Sequence, residues 1–213
     1  MKFDLSLYLV TERYHYTNEK FLSIIDEACK SGVTIVQLRE KTATTKDFYI
    51  LAKKIKEITD SYGIPLIIND RVDICLAVNA SGVHVGDDEL PIEVARKILG
   101  PDKIIGVSVK NKKRAEEAKN LGADYFGVGA FFHTNTKDAL VQDKETLTAV
   151  IRHIDIPVVA IGGLKENNLD ILKDTGVKGA AFVSEIMKAH NVEKKVKSIR
   201  EKINFIIKEN MND

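Results

Sequence analysis

The stretch Ser31-Gly32-Val33-Thr34-Ile35-Val36-Gln37-Leu38-Arg39-Glu40-Lys41 joins a helix stop, an apolar strand and a charged strand end. Glycine suits the left-handed position that closes a helix. The β-branched run that follows suits a strand. Side chains alternate along a strand. If the backbone stays extended past Val36, Gln37, Arg39 and Lys41 face one way, and Leu38 and Glu40 the other. One strand end then offers an amide, a guanidinium and an ammonium to the same space. Arginine grips phosphate oxygens in pairs and lysine supplies a compact charge. The stretch reads as a polyanion cradle, with a solvated charged turn as the alternative.

The same helix–glycine–strand junction recurs at Leu121-Gly122-Ala123-Asp124 and Thr175-Gly176-Val177. Strands are predicted at 5–10, 33–38, 65–69, 82–85, 104–108, 125–128, 157–161 and 179–183. Several are nearly continuous Val/Ile/Leu runs, the signature of parallel strands buried on both faces. Helical spacing links Phe21, Ile24, Ile25 and Ala28, then Phe48, Leu51, Ile55 and Ile58, then Ala115, Ala118 and Leu121; a last helix covers about 192–208. Eight strand–helix units predict an α/β fold, a single (β/α)8 TIM barrel over residues 1–213. The alternative, an open doubly wound sheet, wants a glycine-rich turn after its first strand, and Thr11-Glu12-Arg13-Tyr14 is not one.

The chain has 213 residues, 44% hydrophobic and 30% charged, which excludes a disordered polymer. A net charge of +1 provides no global field for nucleic acid or membrane, so any anion selectivity is local. No apolar run reaches the roughly 20 residues a membrane span needs. Met1-Lys2-Phe3-Asp4 shows no signal-peptide pattern. Cys29 and Cys75 stand apart among apolar neighbours and read as buried thiols, so the expected compartment is the reducing cytoplasm. His15, His133, His153 and His190 share no metal-ligand spacing. The lysines of 188–208 read as a solvated helix face, with Ile203, Phe205 and Ile206 packed on the other side.

Barrels of this type carry their active sites at the C-terminal strand ends, and the polar residues gather there. The second strand ends in Gln37, Arg39 and Lys41, and the third in Asn69-Asp70-Arg71. The fourth leads through His84 to Gly86-Asp87-Asp88-Glu89, and the fifth ends in Ser108 and Lys110. Beyond the sixth lie Thr134, Thr136 and Lys137, beyond the seventh Gly162-Gly163, and beyond the eighth Val183-Ser184. Gly162-Gly163, leading into a helix, suits close backbone approach to an anion, or simply a tight turn. Val183-Ser184 can complete that pocket, while Lys137 faces the cradle. Two anion sites imply two phosphorylated ligands or one long one. Asp70 and the Asp87-Asp88-Glu89 cluster would repel a pyrophosphate unless a cation intervened, and Mg²⁺ takes one or two carboxylates plus substrate phosphates. The alternative is an acidic helix start before Leu90-Pro91. Ser108 has no evident histidine partner, which argues against a serine nucleophile. His84 reads as a side chain oriented by its neighbours. Tyr14-His15-Tyr16 fringes the site or forms a surface loop.

These motifs, taken in order, resemble the thiamine-phosphate synthase family. The matching stretches are Leu7-Tyr8-Leu9-Val10-Thr11, Gln37-Leu38-Arg39-Glu40-Lys41, Asn69-Asp70-Arg71-Val72-Asp73, Gly82-Val83-His84-Val85-Gly86, Gly106-Val107-Ser108, Gly122-Ala123-Asp124-Tyr125, Thr134-Asn135-Thr136-Lys137, Ile161-Gly162-Gly163 and Val183-Ser184. The resemblance implies a (β/α)8 enzyme that joins an aminopyrimidine methyl pyrophosphate to a thiazole phosphate, giving thiamine phosphate and pyrophosphate. It implies that Gln37, Arg39, Lys41, Asn69, Ser108 and Lys137 hold the pyrimidine and its pyrophosphate. Lys41, Arg39, Ser108 and Lys137 then carry catalysis. Thr134, Thr136, Gly163, Val183 and Ser184 hold the thiazole phosphate, and Asp70 and Glu89 bind Mg²⁺. The implied route is dissociative: pyrophosphate leaves, and the thiazole nitrogen captures a pyrimidine methyl cation.

The chain departs from the family pattern at four places. Gly86-Asp87-Asp88-Glu89 stands for Gly-Gln-x-Asp, so Asp88 competes with Glu89 as ligand. Lys110-Asn111 stands for a His-Thr-like pair, Ala130 for a proline, and Glu185 for a small residue. Competing readings are a thiazole tautomerase, which expects a histidine at Lys110; a non-catalytic binder of thiazole phosphate; and a phosphosugar epimerase.

Overall fold

The computed structural model describes residues 3–133 and 141–210. Its eight parallel strands close into one barrel in chain order. They are β1 (Leu7–Val10), β2 (Ile35–Leu38), β3 (Leu66–Asn69), β4 (Gly82–Val85), β5 (Ile104–Val109), β6 (Tyr125–Val128), β7 (Val158–Ile161) and β8 (Gly179–Phe182). Between and after them run α1 (Asn18–Ser31), α2 (Thr45–Ser61), α3 (Val72–Ala77), α4 (Ile92–Leu99), α5 (Lys112–Asn120), α6 (Lys144–His153), α7 (Ser184–Met187) and α8 (Val192–Glu209). Every predicted strand is present, and all ends agree within two residues. Where a strand starts late, a side chain intervenes: Thr34 takes the Leu7 N–H at 3.0 Å, so regular β2 pairing begins at Ile35.

Local chemistry sets the helix ends. Thr17 caps α1 by accepting from Lys20 N, and Gly32, at φ 118°, closes it. Thr44 caps α2 in the same way, with Asp47 in its first turn where the helix dipole favours a carboxylate. The segment after β7 differs from expectation. Instead of an α-helix directly behind Gly162-Gly163, a 3₁₀ helix spans Glu166–Leu172. Asn168 is the reason: its Oδ1 accepts from Lys165 N (2.7 Å) and its Nδ2 donates to Gly163 O (3.1 Å), which tightens the entry.

Two apolar layers form the core. The larger lies between strands and helices and contains both cysteines. Burial pushes the Cys29 thiol up to about 12 and the Cys75 thiol to about 11, so neither is a thiolate at neutral pH. The smaller fills the barrel interior with Leu5, Val10, Ile35, Ile67, Ile104 and Val159 around Tyr8 and Tyr125. α8 buries Val192, Val196, Ile199, Ile203 and Ile206, but Phe205 falls on its outer face, 57% exposed and beside Lys173. Phe205 lies two residues from Ile203, about 200° round the helix from the buried stripe, and so points outward. Among the described residues, no helix is long and apolar enough to cross a membrane.

Gly106 faces the barrel interior where the Tyr125 ring crosses. A Cβ there would lie 2.1 Å from Tyr125 Cζ and 2.3 Å from its hydroxyl oxygen. Overpacking of this kind costs about 1–3 kcal/mol. Gly106→Ala is therefore expected to lower the unfolding free energy by that amount, seen by circular dichroism as a lower urea midpoint at unchanged slope. An unaltered midpoint would show that the Tyr125 ring moves aside freely.

Candidate active site

The C-terminal strand ends surround a cavity of about 370 Å³. Seven of the residues expected to hold substrate line it, namely Gln37, Arg39, Asn69, Ser108, Gly163, Val183 and Ser184, together with His84, Lys110 and Gly162. Alternation along β2 holds beyond its last paired residue. Gln37 and Arg39 face the cavity, Leu38 enters the outer core, and Glu40 turns away to Arg13 (3.1 Å). Burial, opposed by Arg13, raises the Glu40 carboxyl. Lys41 lies outside the cavity lining and pairs with Asp70, with Glu89 3.7 Å from its ammonium. The cradle is thus charge-compensated rather than an open cationic patch, since Arg39 pairs with Glu12. Such pairing offsets the repulsion between neighbouring cations.

Asp70 owes its position to a tight turn. Its φ is 65°, a left-handed conformation that aspartate tolerates better than most residues. Its N–H bonds His84 O at 2.9 Å, and Arg71 N returns to Asn69 O at 2.8 Å. The carboxylate accepts from Asn69 Nδ2 at 2.5 Å, so Asn69 joins the cavity wall to the Lys41–Asp70–Glu89 cluster. Burial, then the neighbouring Asp70 charge, push the Glu89 carboxyl above the usual carboxylate range, against the pull of Lys41. Asp88 is exposed, and Asp87 turns to Lys110 (2.9 Å) and Arg114 (3.1 Å), which hold its carboxyl below the ordinary value. Among the described residues no three metal-ligating side chains converge. Asp70 and Glu89 offer only hard oxygen donors, a set that fits a Mg²⁺ completed by waters and substrate phosphate.

Across the cavity, Gly162 and Gly163 both adopt positive φ, 99° and 67°. Close packing adds a second demand for glycine. A Cβ on Gly162 would lie 2.4 Å from that of Ala130, and one on Gly163 2.8 Å from Phe132 O. Glu185, the misplaced-looking carboxylate beside this pocket, turns away. It accepts from Glu166 N (3.3 Å) and Lys195 Nζ (3.1 Å), while Lys195 also holds Glu166 at 2.7 Å. The two loops after β7 and β8 are tied together behind the cavity. Thr134, Thr136 and Lys137 lie outside the described residues. Tyr16 donates to Met187 O, and Tyr14 stacks edge-on against it, neither one lining the cavity.

One expectation is corrected. Ser108 does have a histidine: His84 Nε2 is 3.0 Å from its Oγ. The sequence separation hides the pair, whereas the register His84↔Gly106 brings Ser108 alongside. Where a hydrolytic triad places a carboxylate, Tyr125 Oη faces Nδ1 at 3.0 Å. Tyr8, Tyr125 and Gln142 were also missed as parts of the site, whereas Lys110 lines the cavity at the end of β5 as expected. A tyrosine on an inward strand position was the available signal for the first two.

The profile of the family described as thiamine monophosphate synthase matches residues 7–186. A thiamine-phosphate synthase of Enterococcus faecalis is 55% identical over 93% of this chain and 94% of its own length. Thiamine-phosphate synthase 2 of Streptococcus pneumoniae is 54% identical over 95% and 97%. The solved thiamine phosphate pyrophosphorylase of Pyrococcus furiosus superposes with a TM-score of 0.87 at 36% identity, covering 95% of this chain and 97% of that one. By its barrel, its cavity and its sequence, this chain belongs to the thiamine monophosphate synthase family of enzymes.

Proposed function

We propose that the chain condenses an aminopyrimidine methyl pyrophosphate with a thiazole phosphate, releasing pyrophosphate and thiamine phosphate. The observation that carries this reading is the Lys41–Asp70–Glu89 cluster, joined through Asn69 to a cavity whose far wall is Gly162-Gly163. Cation and carboxylates on one side suit a diphosphate with its metal. Glycine backbone on the other suits a monophosphate. Two phosphorylated reactants then meet head to head, and the alignment itself lowers the barrier.

Asp70 and Glu89 would hold Mg²⁺, with Glu89 rather than exposed Asp88 as the second carboxylate. Bound there, Mg²⁺ would neutralise charge on the departing diphosphate. Lys41 and Arg39 would hold the diphosphate oxygens as the carbon–oxygen bond lengthens, with Lys137 in the same role. Gln37 and Asn69 would orient the pyrimidine. Gly163, Val183 and Ser184, with Thr134 and Thr136, would hold the thiazole phosphate so that its ring nitrogen faces the electrophilic methylene. The substrates are small phosphorylated molecules, and the charge balance gives no reason to add nucleic acid.

The tautomerase alternative needs a proton shuttle at position 110. Lys110 instead sits in an ion pair with Asp87, and a charged ammonium is a poor base. The binder alternative was raised by Glu89 and Glu185. Glu89 still reaches the Lys41 cluster, and Glu185 is neutralised by Lys195.

Three outcomes test the proposal. With both substrates and Mg²⁺, Lys41→Ala is expected to cut pyrophosphate release by about 10²–10³, as loss of a charge-stabilising donor does, with little change in Tm; wild-type turnover would remove Lys41 from the mechanism. EDTA is expected to abolish turnover and Mg²⁺ to restore it, whereas activity in EDTA would contradict the roles of Asp70 and Glu89. In calorimetry, Gly163→Val is expected to weaken thiazole phosphate binding while sparing the pyrimidine diphosphate; equal losses would indicate misfolding.

A further inference from the structure

Five side chains form an unbroken hydrogen-bonded line through the upper barrel. Gln37 Nε2 donates to Tyr8 Oη at 2.8 Å, and the Tyr8 and Tyr125 hydroxyls are 2.7 Å apart. Tyr125 Oη lies 3.0 Å from His84 Nδ1, and His84 Nε2 3.0 Å from Ser108 Oγ. Gln37 and Ser108, the two ends, line the cavity. Tyr8 and Tyr125 are buried beneath it. The strands build this line by register. Gly106, opposite both His84 and Tyr125, carries no side chain, and the Tyr125 ring occupies that space to reach the imidazole. Gly127 leaves similar room beside the His84 ring.

Proton counting gives the line a direction. An amide nitrogen only donates, and a neutral phenol has one proton to give. Burial pushes both phenols well above their ordinary range, so both keep their protons at neutral pH. Tyr8 accepts from Gln37; if it accepted from Tyr125 as well, its own buried proton would have no acceptor in the line, so the direction that leaves no proton unspent has Tyr8 donating to Tyr125. Tyr125 in turn spends its own on His84 Nδ1. The imidazole then carries its proton on Nε2 and gives it to Ser108 Oγ, which leaves the serine proton for the cavity. Run in the opposite direction, the serine proton would be spent on His84, and the cavity would face an acceptor lone pair that repels phosphate oxygens.

We propose that Tyr8, Tyr125 and His84 are positioning residues, a one-way hydrogen-bond relay that fixes the Nε2–H tautomer of His84 and presents Ser108 as a donor to the anionic substrate. The role given to Ser108 rests on the synthase reading above; the tautomer does not.

Long-range ¹H–¹⁵N correlation on the full-length, substrate-free protein reads the tautomer directly. The Nε2–H form is expected, and its dominance is expected to be lost in Tyr125→Phe. With both substrates, Tyr125→Phe is expected to lower kcat/KM for the pyrimidine diphosphate about five- to tenfold, the scale of one lost hydrogen bond, with KM for thiazole phosphate unmoved. On a Ser108→Ala background the same change is expected to cost less than twofold, because the relay acts through that hydroxyl. Should Tyr125→Phe fold poorly, His84→Gln, which returns an amide donor near the Nε2 position, is expected to retain more activity than His84→Asn. An Nδ1–H tautomer in the wild type overturns the relay, as does additivity of Tyr125→Phe and Ser108→Ala, or equal loss in His84→Gln and His84→Asn. A wild type that shows the Nε2–H tautomer but releases no pyrophosphate would overturn the synthase reading and leave the relay standing.

Discussion

The 2.7 Å contact between the Tyr8 and Tyr125 hydroxyls spans the barrel interior between β1 and β6. A closed parallel barrel pairs its backbone groups between strands, so a polar atom inside must find a side-chain partner or bear its desolvation alone. Around the phenols the interior is apolar, and the amide, imidazole and hydroxyl that reach the cavity hang from them. The two rings are the boundary. Each gives a large apolar body to that interior and one hydroxyl to the polar groups, the use to which buried tyrosine is suited. The cavity stands on this floor.

The rim follows a different rule, local charge compensation. Arg39 meets Glu12, Lys41 meets Asp70 and Glu89, Lys110 meets Asp87, and Lys195 meets Glu166 and Glu185. The charged departures Asp87, Glu89, Lys110 and Glu185 fall into these pairs. Lys110 and Asp87 are both departures and answer each other. Glu185 finds Lys195, and through Glu166 N it braces the glycine loop. Exposed pairs of this kind add little stability. Their effect here is positional, because each fixes where a charged side chain at the rim points.

Most of the fold was legible because its signals are local. Glycine stops mark strand entries within a few residues, Gly32 before the β-branched run Val33-Thr34-Ile35-Val36 and Gly122 before the aromatic pair Tyr125-Phe126. Gln37 and Arg39 could be placed from alternation alone. The His84–Ser108 pair was not legible, since it depends on which residue of β5 stands beside β4, a matter of register and not of spacing. The compensation of Lys41 by Asp70 was half legible. Both were assigned to the site, yet their direct contact depends on the left-handed turn at Asp70, which the sequence does not announce. Phe205 failed for a simpler reason, lying two residues from Ile203 and so on the far side of a helix with one buried stripe.

The pairing at Lys41 bears on how a diphosphate and a cation would share the rim. In the substrate-free protein the ammonium already neutralises Asp70 and partly Glu89. A diphosphate that draws Lys41 toward itself strips those carboxylates of their counter-charge. Glu89 is already held above its usual range by burial and by Asp70, so two bare carboxylates in contact would be costly. Asp70 and Glu89 would hold a divalent cation there, and its charge would offset that cost. Metal and diphosphate would then bind with positive coupling through one lysine that changes partners. By the reciprocity of linkage, each would raise the affinity of the other equally.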